Sequence, residues 1–251
     1  MIKRSVWHGL LYLALAGASL QAGTIVLGDP AMTGTGNCDP FGCPEFFGLG
    51  TYQQVYAAAA FPGMIAIDGL TFFQGQVAGN GGQPAGGTYT LSFSYTPDTP
   101  GNLSLASAST NIAAGGQTFF TGSLPALTPG TSGDLLSFSG APFVYNPADG
   151  DLLLTVSVSG AADANNYLYL DQAKCGPKSG CPSSSPVVSS SAYFGTSDGY
   201  SISGGNNTGG LVTDFGYTSA GGAATPEPGT WLLAAAGIAA IGYQRRRSRL
   251  S

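Results

Sequence analysis

Residues 88–95 read TYTLSFSY. Tyr89, Leu91, Phe93 and Tyr95 fall on one side of an extended chain, and Thr88, Thr90, Ser92 and Ser94 on the other, because successive side chains of a strand point to opposite faces. Residues 151–158, DLLLTVSV, repeat the pattern: Leu152, Leu154, Val156 and Val158 share one face, and Thr155 and Ser157 share the other. Such strands bury one face and wet the other. Further strands are predicted over 24–27, 51–60, 64–74, 115–121, 134–138, 142–145, 166–171, 192–195 and 211–217, separated by Gly, Pro, Asn and Asp. PFVYNPADGDLLL (142–154) reads as a hairpin turning at Asn146–Gly150. Helical periodicity is nearly absent before the C-terminal tail. The expected fold is all-β, an antiparallel β-sandwich, with a jelly roll as one form of it. No internal repeat or linker divides the central region.

Composition agrees with an exported, single-domain chain. It has 251 residues, of which 40 are Gly and only 8% are charged, about a third of the usual charged share. Lys3 and Arg4 open the chain, and Arg245, Arg246, Arg247 and Arg249 close it. Between them the only basic residues are Lys174 and Lys178, against twelve Asp and Glu in 23–225, so this segment carries 2 − 12 = −10. Nucleic acid is excluded as a partner, since its phosphates need basic contacts.

Residues 1–22 read as a signal peptide. Lys3 and Arg4 form the positive start, GLLYLALAGASL (9–20) the apolar region, and Ala18 or Ala22 the cleavage position. Residues 23–220 form the ectodomain, and 221–251 a spacer and tail, with TSAGGAAT (218–225) read as flexible.

The tail has three parts in order. Pro226-Glu227-Pro228 breaks any helix and holds the chain extended. Gly229–Tyr243 is apolar; as a helix it spans roughly 22 Å, short of a hydrocarbon core of about 30 Å. Arg245, Arg246, Arg247 and Arg249 then stay cytoplasmic, leaving the domain outside. This order resembles the PEP-CTERM sorting signal. The resemblance implies processing by an exosortase-type enzyme, transient residence of 229–243 in the inner membrane, and exopolysaccharide as a candidate matrix partner. TYQQVYAAAAF (51–61), GLTFF (69–73) and PFVYNPADGDLLL (142–154) also resemble segments of exported PEP-CTERM proteins that share a β-rich ectodomain.

The chemical inventory of the central region is sparse. His8, the only histidine, lies in the signal peptide, and no Arg precedes the tail. Ser-His-Asp and Cys-His catalysis, His-ligated zinc and Arg-clamped phosphoryl transfer are excluded. Cys38 and Cys43 enclose DPFG, and Cys175 and Cys181 enclose GPKSG. Three pairings are open, and local disulfides Cys38–Cys43 and Cys175–Cys181 are favoured in an oxidising compartment over a Cys₄ zinc site. Asn146, Asp149 and Asp151 cluster at one turn, where they offer oxygen ligands to Ca²⁺ or serve ordinary turn chemistry. SSSPVVSSS (183–191) reads as a solvated loop.

The leading expectation is a non-enzymatic exported protein, sorted by its tail to the cell envelope or extracellular polysaccharide matrix, with no cofactor. The alternatives are a carbohydrate- or calcium-binding adhesin module, and a secreted hydrolase of glycans working through paired carboxylates.

Overall fold

Among the described residues ten strands follow one another: β1 Ala22–Leu27, β2 Leu49–Tyr56, β3 Ile65–Phe73, β4 Gly86–Thr96, β5 Gln117–Gly122, β6 Leu135–Tyr145, β7 Asp151–Ala162, β8 Ser189–Ser197, β9 Tyr200–Asn207 and β10 Thr213–Ser219. The computed structural model describes residues 22–28, 36–43, 49–75, 82–113, 115–127, 135–162, 168–172, 189–197, 200–207 and 210–220. Ala22–Gly221 form one compact unit. Among the described residues there is no α-helix, only short 3₁₀ turns at Ala58–Ala60, Ala108–Asn111 and Pro147–Asp149.

The strands form two antiparallel sheets, one ordered β1-β10-β3-β6 and the other β5-β4-β7-β2-β8-β9. Four pairings are nested: β1 with β10, β2 with β7, β3 with β6, and β4 with β5. Nesting of this kind is one long hairpin rolled across two sheets. With the β8–β9 hairpin set aside, the remaining eight strands have the jelly-roll order. The expected all-β sandwich is the fold. The added hairpin extends the larger sheet beyond β2.

The alternation in 88–95 and 151–158 decides the core. Tyr89, Leu91, Phe93, Leu152, Leu154 and Val156 are fully buried between the sheets. From the four-stranded sheet they meet Ile65, Ile67, Leu70 and Phe72 of β3, Leu136, Phe138, Phe143 and Tyr145 of β6, and Phe215 of β10. Phe93 stacks on Phe143 across the gap at 5.5 Å and packs edge-on to Phe119 at 5.2 Å.

The outer face of the larger sheet is less wet than its serines and threonines suggest. Leu153 is fully buried there with Val55, Ala192 and Leu103. Leu103 comes from the β4–β5 connection, which folds over this face. Asn111 fastens it: its Nδ2 donates to Gln53 Oε1 (2.8 Å) and Ser104 O (3.0 Å), and its Oδ1 accepts from Ser104 N (2.8 Å). Gln53 Nε2 donates in turn to Ala108 O (3.0 Å).

Several expected boundaries are corrected. The predicted strands 134–138 and 142–145 are one strand, β6, whose register against β3 jumps from Phe143↔Ile67 to Ser139↔Gly69. Gly140–Pro142 bulge out there, where Pro142 has no N–H to lose from the ladder. The bulge meets β5 of the other sheet: Gln117 Nε2 donates to Pro142 O (3.0 Å). The expected hairpin at Asn146–Gly150 is an arch instead. β6 and β7 belong to different sheets, so the turn carries the chain across the sandwich. Of the predicted strand 166–171, residues 166 and 167 lie outside the described residues; 168–171 form no continuous strand, and Leu170 makes isolated bridges to Asn37 and Gln74. Ser189, Ser190 and Ser191 are buried in β8 rather than solvated, and Ser190 Oγ accepts from Gly101 N (2.7 Å). The expected spacer starts later, because Thr218 and Ser219 belong to β10 and Ala220 N donates to Met64 O (3.1 Å). β9, YSISGGNN, alternates too weakly to be read as a strand and was not expected.

At the β5–β6 seam a Cβ on Gly140 would overlap the Phe119 carbonyl oxygen, whereas one on Gly50 meets nothing within 4 Å. Gly140→Ala is expected to lower the unfolding free energy by about 1–3 kcal/mol, the usual cost of overpacking. Gly50→Ala should stay within about 0.5 kcal/mol. Urea unfolding of both variants measures the difference.

Candidate functional site

Two groups of residues from the sequence reading have a place in the structure, the first cysteine pair and the acidic turn; a third, the polar positions of β2, emerges only from the structure. Cys38 and Cys43 form a disulfide with a Cα–Cα distance of 5.3 Å, as expected. The ligand atoms of Cys38, Asp39 and Cys43 lie within 4.8 Å of one another. The two sulfurs are bonded to each other, so this trio offers a cation one carboxylate rather than a thiolate set. Cys175 and Cys181, with Lys174 and Lys178, lie outside the described residues.

What the cysteine loop holds was not expected. Phe41, midway along it, is fully buried. Its ring sits 5.1 Å from Phe72, 5.6 Å from Phe138 and 5.8 Å from Tyr89. The loop thus drives an aromatic plug between the two sheets. Its backbone is fixed on both sides: Gly42 N donates to Cys38 O (2.6 Å), and Ala85 N donates to Phe41 O (2.7 Å). Gly42 lies so close to Leu168 that a Cβ would overlap the Leu168 carbonyl. The sequence signal was present, an aromatic residue inside a Cys-flanked turn, but a loop reading assigns it to solvent.

The acidic turn uses its polar atoms internally. Asn146 Oδ1 accepts from Ala148 N (3.2 Å), which fixes the amide so that Nδ2 donates to Asp149 Oδ2 (3.0 Å). Asn146 N donates to the Tyr95 hydroxyl (2.9 Å), and the Tyr145 hydroxyl donates to Gly150 O (2.8 Å). Asp151 points elsewhere: its Oδ1 accepts from Ala58 N (2.7 Å), joining the arch to the β2–β3 connection. Asn146 and Asp149 are brought together as donor and acceptor, while Asp151 serves a backbone amide.

The core-facing side of β2 carries the third group. Tyr52, Gln54 and Tyr56 are all buried. The Tyr52 hydroxyl donates to Gln54 Oε1 (2.7 Å), which also accepts from Leu211 N (2.8 Å). Gln54 Nε2 donates to Leu211 O (2.8 Å), and the Tyr56 and Thr213 hydroxyls share a bond of 2.9 Å. Gln54 thereby pairs with both backbone groups of Leu211 as a strand neighbour would, tying β2 to the segment that leads into β10. Burial pushes the phenols of Tyr52 and Tyr56 far above their ordinary value, outweighing the bonds from Ser191 and Thr213 that act the other way. Tyr145 moves in the same direction, first from burial and then from the charge of Asp151. These hydroxyls are locked donors of the fold.

The tail itself, with Pro226, Glu227, Pro228, the apolar run 229–243 and Arg245, Arg246, Arg247 and Arg249, lies outside the described residues, as does the signal peptide up to residue 21. Among the described residues no helix is long and apolar enough to cross a membrane.

Residues 224–248 match the family model of the PEP-CTERM protein-sorting motif. The resemblance seen in the tail is therefore shared by a general description of that signal. It supports an exported protein directed to the envelope and processed by an exosortase-type enzyme. No curated protein matches the chain in sequence. Among solved structures, the cysteine protease and lectin-like domains of Cwp84, a surface layer associated protein of Clostridium difficile, align at 12% identity with a TM-score of 0.37. That alignment covers 69% of this chain and 33% of the other, so the chain spans about a third of its length.

Two outcomes follow from the plug and the phenols. Phe41→Ala should cost about 3–5 kcal/mol, more than the double replacement C38S/C43S. The latter opens a six-residue loop, worth about 2 kcal/mol. Denaturant unfolding ranks the two, and a reversed order would mean that the loop, rather than its ring, carries the stability. In alkali the sign is set by the raised phenol pKa values. The unfolded chain loses these protons first, from about pH 10. Stability should therefore be fully present below that pH and fall as pH rises above it. Urea midpoints taken between about pH 8 and 11 check this, and a flat profile would contradict it.

Proposed function

We propose that this is a non-enzymatic exported β-sandwich protein whose tail sorts it to the cell envelope or extracellular polysaccharide matrix. The observation that carries the reading is the sorting motif at 224–248, which begins within a few residues of the last strand of one compact unit. A passenger domain and an address occupy separate stretches of the chain.

The non-enzymatic part is supported by chemistry. Between the signal peptide and the tail there is neither His nor Arg. A mature enzyme would rest on Asp, Glu, Lys, Tyr, Ser or Cys. Of these, Cys38 and Cys43 are joined, Tyr52 and Tyr56 are buried and held protonated, and Asp151 is bound to a backbone amide. A glycosidase needs two carboxyls facing one bond at about 5–10 Å, one of them with a raised pKa. The hydrogen bonds at 146–151 give its acids a structural task instead.

Deleting residues 226–251 should release a folded domain to the periplasm or medium, whereas the full chain is retained until processed. Fractionation with far-UV circular dichroism of the released protein measures both halves. A truncated protein that misfolds would mean the tail belongs to the core. The purified domain should show no turnover on a panel of polysaccharides and glycosides from about pH 4 to 9, the span in which carboxylate pairs work. Hydrolysis abolished by D149N or D151N would refute the non-enzymatic reading.

A further inference from the structure

β10 is the last strand before the tail, and it is an interior strand. It lies between β1 and β3, paired along its length on both sides. Among the described residues β1 has no other strand partner in its sheet. Phe215, fully buried at the centre of β10, packs on Tyr56 at 4.9 Å and Phe61 at 5.4 Å. Without β10 the smaller sheet falls into separate pieces and the core loses a wall. Residues up to Ser219 must therefore have left the export channel before the sandwich can close. The sorting motif follows at Pro226, six residues past Ala220.

The register adds a second constraint. Ala22 pairs with Thr218 and Gly23 with Tyr217. The first residue of the fold and one of its last lie on neighbouring strands, at a separation of about 5 Å. The segments leading into and out of the domain start side by side. Both ends of the domain can therefore stay tethered on one side while the sandwich closes.

We infer that the domain is completed in the membrane-held precursor: β10 docks between β1 and β3 while both the signal peptide and the tail are still attached, and removal of the tail comes after folding. This rests on the sorting reading above. It adds an order of events, in which the tail is surrendered by a folded passenger.

Val26 and Asp214 are directly opposed across β1 and β10, a separation that a disulfide spans. The test uses the full chain in its host carrying V26C/D214C, with single-cysteine variants identifying the new cross-link by peptide mapping. Processing is blocked at both ends by A18L/A22L and P226A/E227A/P228A. The expected result is a membrane-bound, doubly anchored precursor that forms the engineered β1–β10 cross-link as completely as the chain with free processing, and whose domain resists protease equally. A precursor that is membrane-bound but fails to form the link, while the processed chain forms it, overturns the inference and leaves the sorting reading standing. A doubly blocked chain found in the soluble fraction overturns both. In pulse-chase labelling with processing intact, the cross-link should appear before the tail is lost. Tail loss from chains that are not yet cross-linked and remain protease-sensitive also overturns it.

Discussion

The contact between Phe93 and Phe143 holds the two sheets at a common distance, and the rest of the molecule is arranged around it. Phe93 sits at the centre of the 88–95 alternation, and Phe143 next to the bulge that brings β6 against β5. Ring contacts pass from Phe93 through Phe215 to Tyr56 and Phe61, and a second group, Tyr89, Phe72 and Phe138, closes around the plug at Phe41. Tilted and edge-on ring pairs of this kind each add about 0.5–1.5 kcal/mol beyond the area they bury. A chain with so few charges has few ion pairs to draw on, so packing and hydroxyl or amide hydrogen bonds carry its stability.

The two strands with clean alternation were legible because their pattern is local: every second residue of 89–93 and 152–156 lies in the core. What the pattern could not reveal is which sheet a strand joins. Asn146–Gly150 has the composition of a hairpin turn, yet turn chemistry is indifferent to whether the next strand pairs with the last or crosses above it. The same limit explains Ser189–Ser191. Their polarity suits solvent, and only long-range contacts, the pairing of β8 with β2 and the cover of the β4–β5 connection, bury them. β6 reads as two strands because Gly140 and Pro142 signal a break within one strand as strongly as between two.

The candidate functional features divide along the same line. The sorting tail is linear information, read by residue order, and needs no fold to be recognised. The Cys38–Cys43 bond spans five positions and is nearly as local. The acids of the 146–151 turn suggest chemistry only when sequence proximity is taken for convergence. The structure separates them by hydrogen-bond partner: Asn146 holds Asp149, and Asp151 reaches to Ala58. Gln54 shows the opposite failure. The second of two adjacent amides in TYQQVY gives no hint that it pairs with the distant backbone of Leu211.

The register of β1 against β10 has one more consequence. A domain whose first and last strands are partners has no intrinsic beginning. Joining Ser219 to Ala22 through a short linker and opening the chain at an exposed connection would give a circular permutant with the same pairings. By the same geometry the domain could be spliced into a surface loop of an unrelated carrier without prising that loop apart. For a passenger that travels under an address carried elsewhere in the chain, such portability means that the cargo can be exchanged and the label kept.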